Sequence, residues 1–393
     1  MTATDYDSVK IQPAALAVPA QGFVLAQRES AFVWMVLGAA LIFRVLGMFW
    51  LPFVDTTEAR YAEIARIMVD TGDWITPQFD YGVPFWGKPP LHTWLSALGM
   101  KMFGVTGFGA RILILLTALG ILALIHGFVA RHKGRDQALL AIVVLATSAM
   151  FFGASAFVMT DIPMVLGTTL SMVGFYNAMT GGPAAKRWGQ AAFVGLAIGM
   201  LAKGPLALVI TGLALVPWLA LGGRWRRLGT LPWASGLLIF AVLCLPWYIA
   251  AEIKTPGFLR YFLIGEHIER FIVSDWQGDL YGSGHARPKG MIWVYLVGTF
   301  LPWALFALGL FPRAKAVTAG LRQDSDGWHS YLLFWAIAPA ILFTPAANIL
   351  SAYALPAMPA LAVLLVAWWS YAWPGAGKRA RLAAIPAMTG VPV

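Results

Sequence analysis

The sequence predicts an all-α protein that crosses a membrane about ten times and carries its long loops on one side. Three observations predict this. Hydrophobic residues make up 59% of the chain and charged residues only 12%, with a mean hydropathy of +0.72, outside the range of soluble domains. Apolar runs of roughly 20 residues, the length that spans a hydrocarbon core, recur along it. Lys and Arg concentrate in alternate loops, as the positive-inside rule requires.

Taken in order, residues 1–30 start acidic, are rich in Pro, Ala and Gln, and lack a basic leader, so they read as a flexible cytoplasmic tail. Ten apolar segments follow, at about 31–53, 107–130, 137–157, 161–180, 188–203, 204–222, 229–251, 290–312, 328–345 and 348–371. Gly189 to Gly223 is too long for one crossing, and Lys203-Gly204-Pro205 divides it, Gly-Pro being a natural helix break. Residues 31–372 thus form one membrane domain, with long outer loops at about 54–106 and 252–289. Residues 373–393 read as a basic tail or the start of a truncated further span. The lone Cys244 lies in an apolar run without an intrachain partner, so disulfides play no part in the fold.

With a cytoplasmic start, the inside segments carry Lys10 and Arg28, Arg131/Lys133/Arg135, Lys186/Arg187, Arg224/Arg226/Arg227, Arg313/Lys315/Arg322 and Lys378/Arg379/Arg381. The net charge of +10 therefore reflects topology. It does not point to nucleic acid, whose readers cluster their basic residues on one face. Carboxylates behave oppositely. Asp55, Glu58, Glu63, Asp70, Asp73, Asp80, Asp161, Glu252, Glu266, Glu269, Asp275 and Asp279 all fall on the outer side. An inner-membrane protein so arranged works at its periplasmic face.

The first outer loop is the most informative. Tyr61, Ile64, Ala65 and Met68 recur at helical spacing, which predicts an amphipathic helix in the interface plane. Asp55-Thr56-Thr57-Glu58 has the form of an N-cap followed by an acid at the third helical position. Capping accounts for Asp55 without any chemistry, but it also holds a carboxylate in place. Further on, Lys88 precedes two prolines and opens a short amphipathic helix. A cation at a helix start opposes the helix dipole, so a compensating anion is expected, and a phosphate would gain both the N–H groups and the ammonium. The alternative is that Lys88 snorkels to headgroups. His92 reads as interfacial, and His126 and His132 as lying near the inner face. Arg44, inside the first span, is expected to pair with a polar group between helices, since an intramembrane charge is costly.

"DTTEARYAEIARIMVDTGDWITPQF" followed by "KPPLHTWLSALGMKMFG" resembles the opening loop of a polyprenyl-phosphate-sugar-dependent glycosyltransferase family, the GT-C type enzymes related to protein O-mannosyltransferases and bacterial aminoarabinose (lipid A) transferases. "MTDIPMV", "LAKGPLALV", "GEHIERF", "GHARPKGMIWVYLVGTFLPW" and "SAYALPAMPALAVLL" extend the likeness, in order, over nearly all of residues 31–371. The resemblance implies that Asp55 is the catalytic base, with Glu58 as runner-up. It implies that Lys88, Arg270 and Tyr353 hold the lipid phosphate, and that Asp161 and His267 lie near the same cavity. Two departures stand out. Gly87 replaces a Glu that in the aminoarabinose transferases belongs with a metal or acceptor-headgroup site, so neither a metal nor a lipid A acceptor is implied. Asn348 stands where relatives often carry a basic residue.

A polyprenyl-phosphate leaving group is already anionic. It can depart without a general acid if cations meet the developing charge, a role that suits Lys88 and Arg270. One carboxylate then suffices to deprotonate or orient the acceptor, and attack on the opposite face inverts the anomeric carbon. Lys203, at the helix break, either neutralises a carboxylate such as Asp161 or touches substrate. Glu266, His267 and Glu269 form a weak metal signature, and His285 a weaker one. A divalent ion is thus an option, not a requirement, and no other cofactor is called for. The expected partners are a polyprenyl-phosphate-linked sugar, a lipid, glycan or protein acceptor, and membrane lipids. Two readings compete with the enzyme: a lipid or glycolipid transporter or flippase, and a non-catalytic subunit of an envelope assembly. Transporters tend to show paired broken helices in two related halves, whereas this chain has one clear break and its acids in loops.

Overall fold

The computed structural model describes residues 25–372 except 274–275, 279, 282–284, 323 and 325. Most of both tails, together with Asp275 and Asp279, lies outside the described residues. The architecture is all-α apart from one short hairpin, Gln78–Asp80 paired antiparallel with Val83–Pro84 inside the first long loop.

Helices occupy each of the ten apolar segments. In chain order the first ten are α1 (Gln27–Trp50), α2 (Thr56–Thr71), α3 (Leu91–Phe103), α4 (Gly107–Lys133), α5 (Arg135–Thr147), α6 (Ala149–Ala154), α7 (Asp161–Thr180), α8 (Ala185–Lys203), α9 (Leu206–Leu221) and α10 (Trp233–Lys254). Among the described residues four helices are long and apolar enough on their own to cross a bilayer, and a bent pair would make a fifth. The others are shorter or more polar than a free-standing span. They are carried by packing against neighbours, since a bundle can bury a polar side chain that lipid would not tolerate.

Two segments expected to be continuous are broken. Residues 137–157 divide at Ser148 into α5 and α6. Residues 290–312 divide into helices that meet at 100° around Leu301-Pro302; a proline disfavours helical geometry in the residue before it and supplies no N–H. The break at Lys203-Gly204-Pro205 forms as expected, with Gly204 in the left-handed region at φ +80° and Pro205 preceding α9.

The tightest helix pair is α7 with α8. A Cβ on Gly167 would lie 2.5 Å from the Gly199 nitrogen, so only glycine permits this approach. The antiparallel pairing brings the N-terminus of α7, Asp161, beside the C-terminus of α8, Lys203. Each charge complements its own helix dipole.

The two long loops are fastened to each other and to the bundle. Trp86 donates its ring N–H to Thr255 Oγ1 at 3.1 Å, and Tyr281 donates its hydroxyl to the Pro84 carbonyl at 2.8 Å. The Trp247 ring N–H reaches the Ile75 carbonyl at 2.9 Å, and Lys254 pairs with Asp73 at 2.7 Å. The second loop contains a π-helix, Tyr261–Glu269. These ties set residues about 180 positions apart, such as Lys88 and Glu266, side by side.

Candidate active site

Asp55 caps α2. Its Oδ1 accepts from the N–H of Thr57 at 2.7 Å and of Glu58 at 3.3 Å. Its Oδ2 has no hydrogen-bond partner among the described residues, and Asp55 is one of the residues that line a cavity of about 490 Å³. Capping and exposure to the cavity therefore coexist: one oxygen is fixed and the other is available. The N-cap expected from the sequence is present.

Glu58 goes elsewhere. It is 2% exposed and does not line the cavity. Arg111 of α4 grips it twice, at 2.8 and 2.7 Å, and the Val158 N–H adds a third bond at 3.1 Å. Arg111 also donates to the carbonyls of Leu51 and Pro52, so this pair ties α2 to α4 and to the end of α1. The physical reason is rotation around the helix: three residues past the cap, Glu58 points inward from α2.

Lys88 sits on the cavity wall just before α3. The anion expected to offset it at this helix start is supplied by the chain itself: Lys88 Nζ donates to Glu266 Oε2 at 2.6 Å. Arg270 approaches both oxygens of the same carboxylate at 3.1 Å, and the Tyr261 hydroxyl approaches one at 3.3 Å. Burial works to raise the Glu266 carboxyl, but the Lys88 and Arg270 charges outweigh it and hold it below the ordinary glutamate value. Glu266 is thus a shared counter-ion with its oxygens already committed.

Asp161 and Lys203 form a second buried pair on the same wall. The Lys203 ammonium also lies 4.5 Å from the centroid of the Tyr353 ring, which packs on Phe343 at 4.6 Å. Of its two expected roles, Lys203 fulfils the neutralising one directly. Lys88, Lys203, Glu266, Arg270 and Tyr353 line both the main cavity and a smaller one behind it, of about 80 Å³, which reaches Leu206, Phe271 and Phe343. A gate that carries these cations therefore stands between the chamber and the smaller recess, which His267 and Asn348 also line.

Several expectations are corrected by this geometry. His267 is not presented as a metal ligand, because its ring nitrogens lie against the main-chain carbonyls of Phe262, at 2.7 Å, and Lys203, at 3.3 Å. Burial pushes its pKa down. Among the described residues no three His, Cys, Asp or Glu side chains converge as a metal site. Gly87 has little room for the Glu of its counterparts, since a Cβ there would lie 3.0 Å from the Phe85 ring. His92 is interior, not interfacial. It packs against Tyr61 with ring centroids 4.6 Å apart, and burial, aided by the Lys88 charge, pushes its pKa down to about 3. Asn348 clasps the second loop, its amide donating to the carbonyls of Arg270 at 2.8 Å and Val273 at 3.0 Å.

One charged cavity residue was not among the candidates from the sequence. Arg60 lines the chamber and makes no ion pair or hydrogen bond among the described residues. Its signal was its place on α2, five residues after the cap, on a different face from the apolar Tyr61, Ile64, Ala65 and Met68. His285 also lines the chamber.

A bundle of long apolar helices, with a chamber lined by carboxylates and several cations, defines an all-α membrane protein. The model of the dolichyl-phosphate-mannose-protein mannosyltransferase family matches residues 31–262, and the chain belongs to that family. It is 34% identical over 334 residues to the undecaprenyl phosphate-alpha-4-amino-4-deoxy-L-arabinose arabinosyl transferase of Edwardsiella ictaluri, covering 82% of this chain and 55% of that protein. It is 32% identical over 331 residues to the enzyme of the same name from Pseudomonas aeruginosa, covering 80% and 55%. The chain thus spans about half the length of the curated relatives it matches. Its fold is similar to the crystal structure of ArnT from Cupriavidus metallidurans bound to undecaprenyl phosphate, with a TM-score of 0.79 at 23% identity, covering 92% of this chain and 64% of that one. The archaeal oligosaccharyltransferase AglB from Archaeoglobus fulgidus is more distant, with a TM-score of 0.50 at 15% identity over 87% of this chain and 50% of that one.

Proposed function

We propose that this protein is a membrane glycosyltransferase that moves a sugar from a polyprenyl-phosphate donor to an envelope acceptor at the periplasmic face, with inversion. The observation that carries the reading is Asp55: one carboxylate oxygen is fixed by the α2 cap, the other makes no hydrogen bond among the described residues, and the residue lines a chamber together with Lys88, Arg270 and Lys203. The names of the relatives support undecaprenyl phosphate as the carrier lipid.

In this reading the donor phosphate lies at the gate between chamber and recess, and the polyprenyl chain leaves past Leu206, Phe271 and Phe343. Lys88 and Arg270 line the chamber beside Glu266 and meet the phosphate there, Lys as a point charge and Arg as a fork. The bond between the anomeric carbon and the phosphate oxygen breaks, and its electron pair goes to the phosphate, where the cations stabilise it. An acceptor oxygen attacks from the opposite face. A hydroxyl acceptor passes its proton to Asp55 Oδ2; a phosphate acceptor has none to pass and is only oriented. Arg60, unpaired on the same wall, suits an acceptor that carries its own negative charge. Glu58 acts at one remove, by holding α2 and hence Asp55 in place.

The test is mass spectrometry of envelope glycolipids and glycans from a deletion strain complemented with wild type or with Asp55→Asn at matched expression. We expect one sugar-sized mass to vanish on deletion and to return only with wild type. Full restoration by Asp55→Asn would reduce Asp55 to a helix cap and overturn the assignment.

A further inference from the structure

The transferase reading leaves Arg44 unused. It sits in α1, two turns before the helix end, and its Nη2 donates to the Gly153 carbonyl at 2.9 Å. The guanidinium carbon lies 5.3 Å from the centroid of the Phe152 ring. Its Nε is buried without a hydrogen-bond partner, and no carboxylate pairs with Arg44 among the described residues. Glu58, which contributes to its electrostatic environment, is committed to Arg111. A cation on a membrane helix is costly unless an anion or water meets it, and nothing in the described chain supplies the anion.

Arg44 also heads a groove. A cavity of about 340 Å³ lies between α1, α4 and α5, lined by Trp34, Gly38, Leu41, Leu119, Ile142 and Phe152. Trp34 and Leu41, 56% and 38% exposed, form its open rim. From Trp34 to Arg44 the groove follows ten residues of helix, roughly 15 Å, long enough for a stretch of acyl chain. Every side chain lining it is apolar except Arg44 and Ser155. An apolar trough ending in a single unmatched cation has the chemistry of an anionic amphiphile.

We propose that this groove holds one acyl chain of an anionic glycerophospholipid of the surrounding bilayer, with its phosphate on Arg44. The phosphate pairs with the positive charge of the half-buried Arg44 guanidinium, and the long Arg side chain reaches toward headgroup depth as such side chains do near helix ends. The site lies behind the transferase chamber: Phe151 and Phe152 of α6 face the groove, while Gly153 and Ala154 of the same helix line the chamber. A lipid in the groove braces that shared wall. The proposal stands whether or not the transferase reading does, since it concerns retention of a lipid only.

Native mass spectrometry of the full chain, delipidated and then titrated with phosphatidylglycerol or phosphatidylcholine, tests it. Wild type should bind one phosphatidylglycerol in preference to phosphatidylcholine. Arg44→Gln should weaken phosphatidylglycerol roughly tenfold, the scale of one charge-assisted hydrogen bond, and abolish the preference; Arg44→Lys should keep part of it. Gly38→Phe should remove binding of either lipid by filling the groove, and a Cβ at this position meets no atom within 4 Å. Both Arg44→Gln and Gly38→Phe should retain polyprenyl-phosphate binding, which shows that the bundle is folded and separates this site from the donor gate. An unchanged preference in Arg44→Gln, unchanged occupancy in Gly38→Phe, or displacement of phosphatidylglycerol by polyprenyl phosphate would each overturn the proposal.

Discussion

Glu58 and Glu266 are both buried carboxylates with arginine partners, yet their surroundings make them opposites. Glu58 is sealed. Its partner Arg111 has a side chain only 4% exposed, and that side chain spends its remaining donors on the Leu51 and Pro52 carbonyls. Glu266 is equally buried, at 3% side-chain exposure, but its partners Lys88 and Arg270 are 18% and 20% exposed and line the chamber. Both pairs hold distant segments together. Only the second leaves cations able to meet a ligand. Burial of a carboxylate is therefore a poor guide to function; what matters is whether its partners have capacity left and a cavity to face.

The largest effect expected from this contrast is at the sealed pair. Arg111→Leu strands a buried carboxylate and should cost about 3–5 kcal/mol, read as a large fall in melting temperature in detergent. At the open pair, Lys88→Ala should weaken polyprenyl-phosphate binding about tenfold or more with a much smaller change in melting, because Arg270 still faces Glu266. If Lys88→Ala instead unfolds the protein as Arg111→Leu does, the distinction between the two pairs fails.

The open pair also predicts a pH dependence. The Glu266 carboxyl is held below the ordinary glutamate value, so its contribution to stability is fully present above about pH 4.3 and is lost as pH falls through its folded value. The acid limb of the stability profile should flatten in Glu266→Gln, measured by thermal unfolding across that range. The smallest effect belongs to the exposed Glu63–Arg66 pair on α2. Glu63→Gln should shift stability by less than about 0.5 kcal/mol, and a larger change would mean that α2 depends on its surface charges more than on its buried face.

Much of this was legible before any coordinates. The apolar segments, the cap at Asp55, the break at Lys203-Gly204-Pro205 and the unusual position of Lys88 are local signals, written in spacing and residue type. Glu266 was legible as a site candidate and a weak metal ligand but not as a counter-ion, because that role depends on Lys88, which is 178 residues away. His92 looked interfacial because amphipathic spacing cannot distinguish a headgroup from a neighbouring loop, and here Tyr61 of α2 covers it.

The sequence by itself determined an all-α membrane protein, the places of its main apolar helices and the residue types available for chemistry. Those follow from hydropathy, periodicity and capping, which act over a few turns of chain. Tertiary structure alone decided which charges neutralise each other, since that depends on how far each helix is rotated and on which loops are stapled together. That is why Glu58 became a structural tie and Glu266 a counter-ion, while Asp55 lines the chamber with one oxygen that makes no hydrogen bond among the described residues.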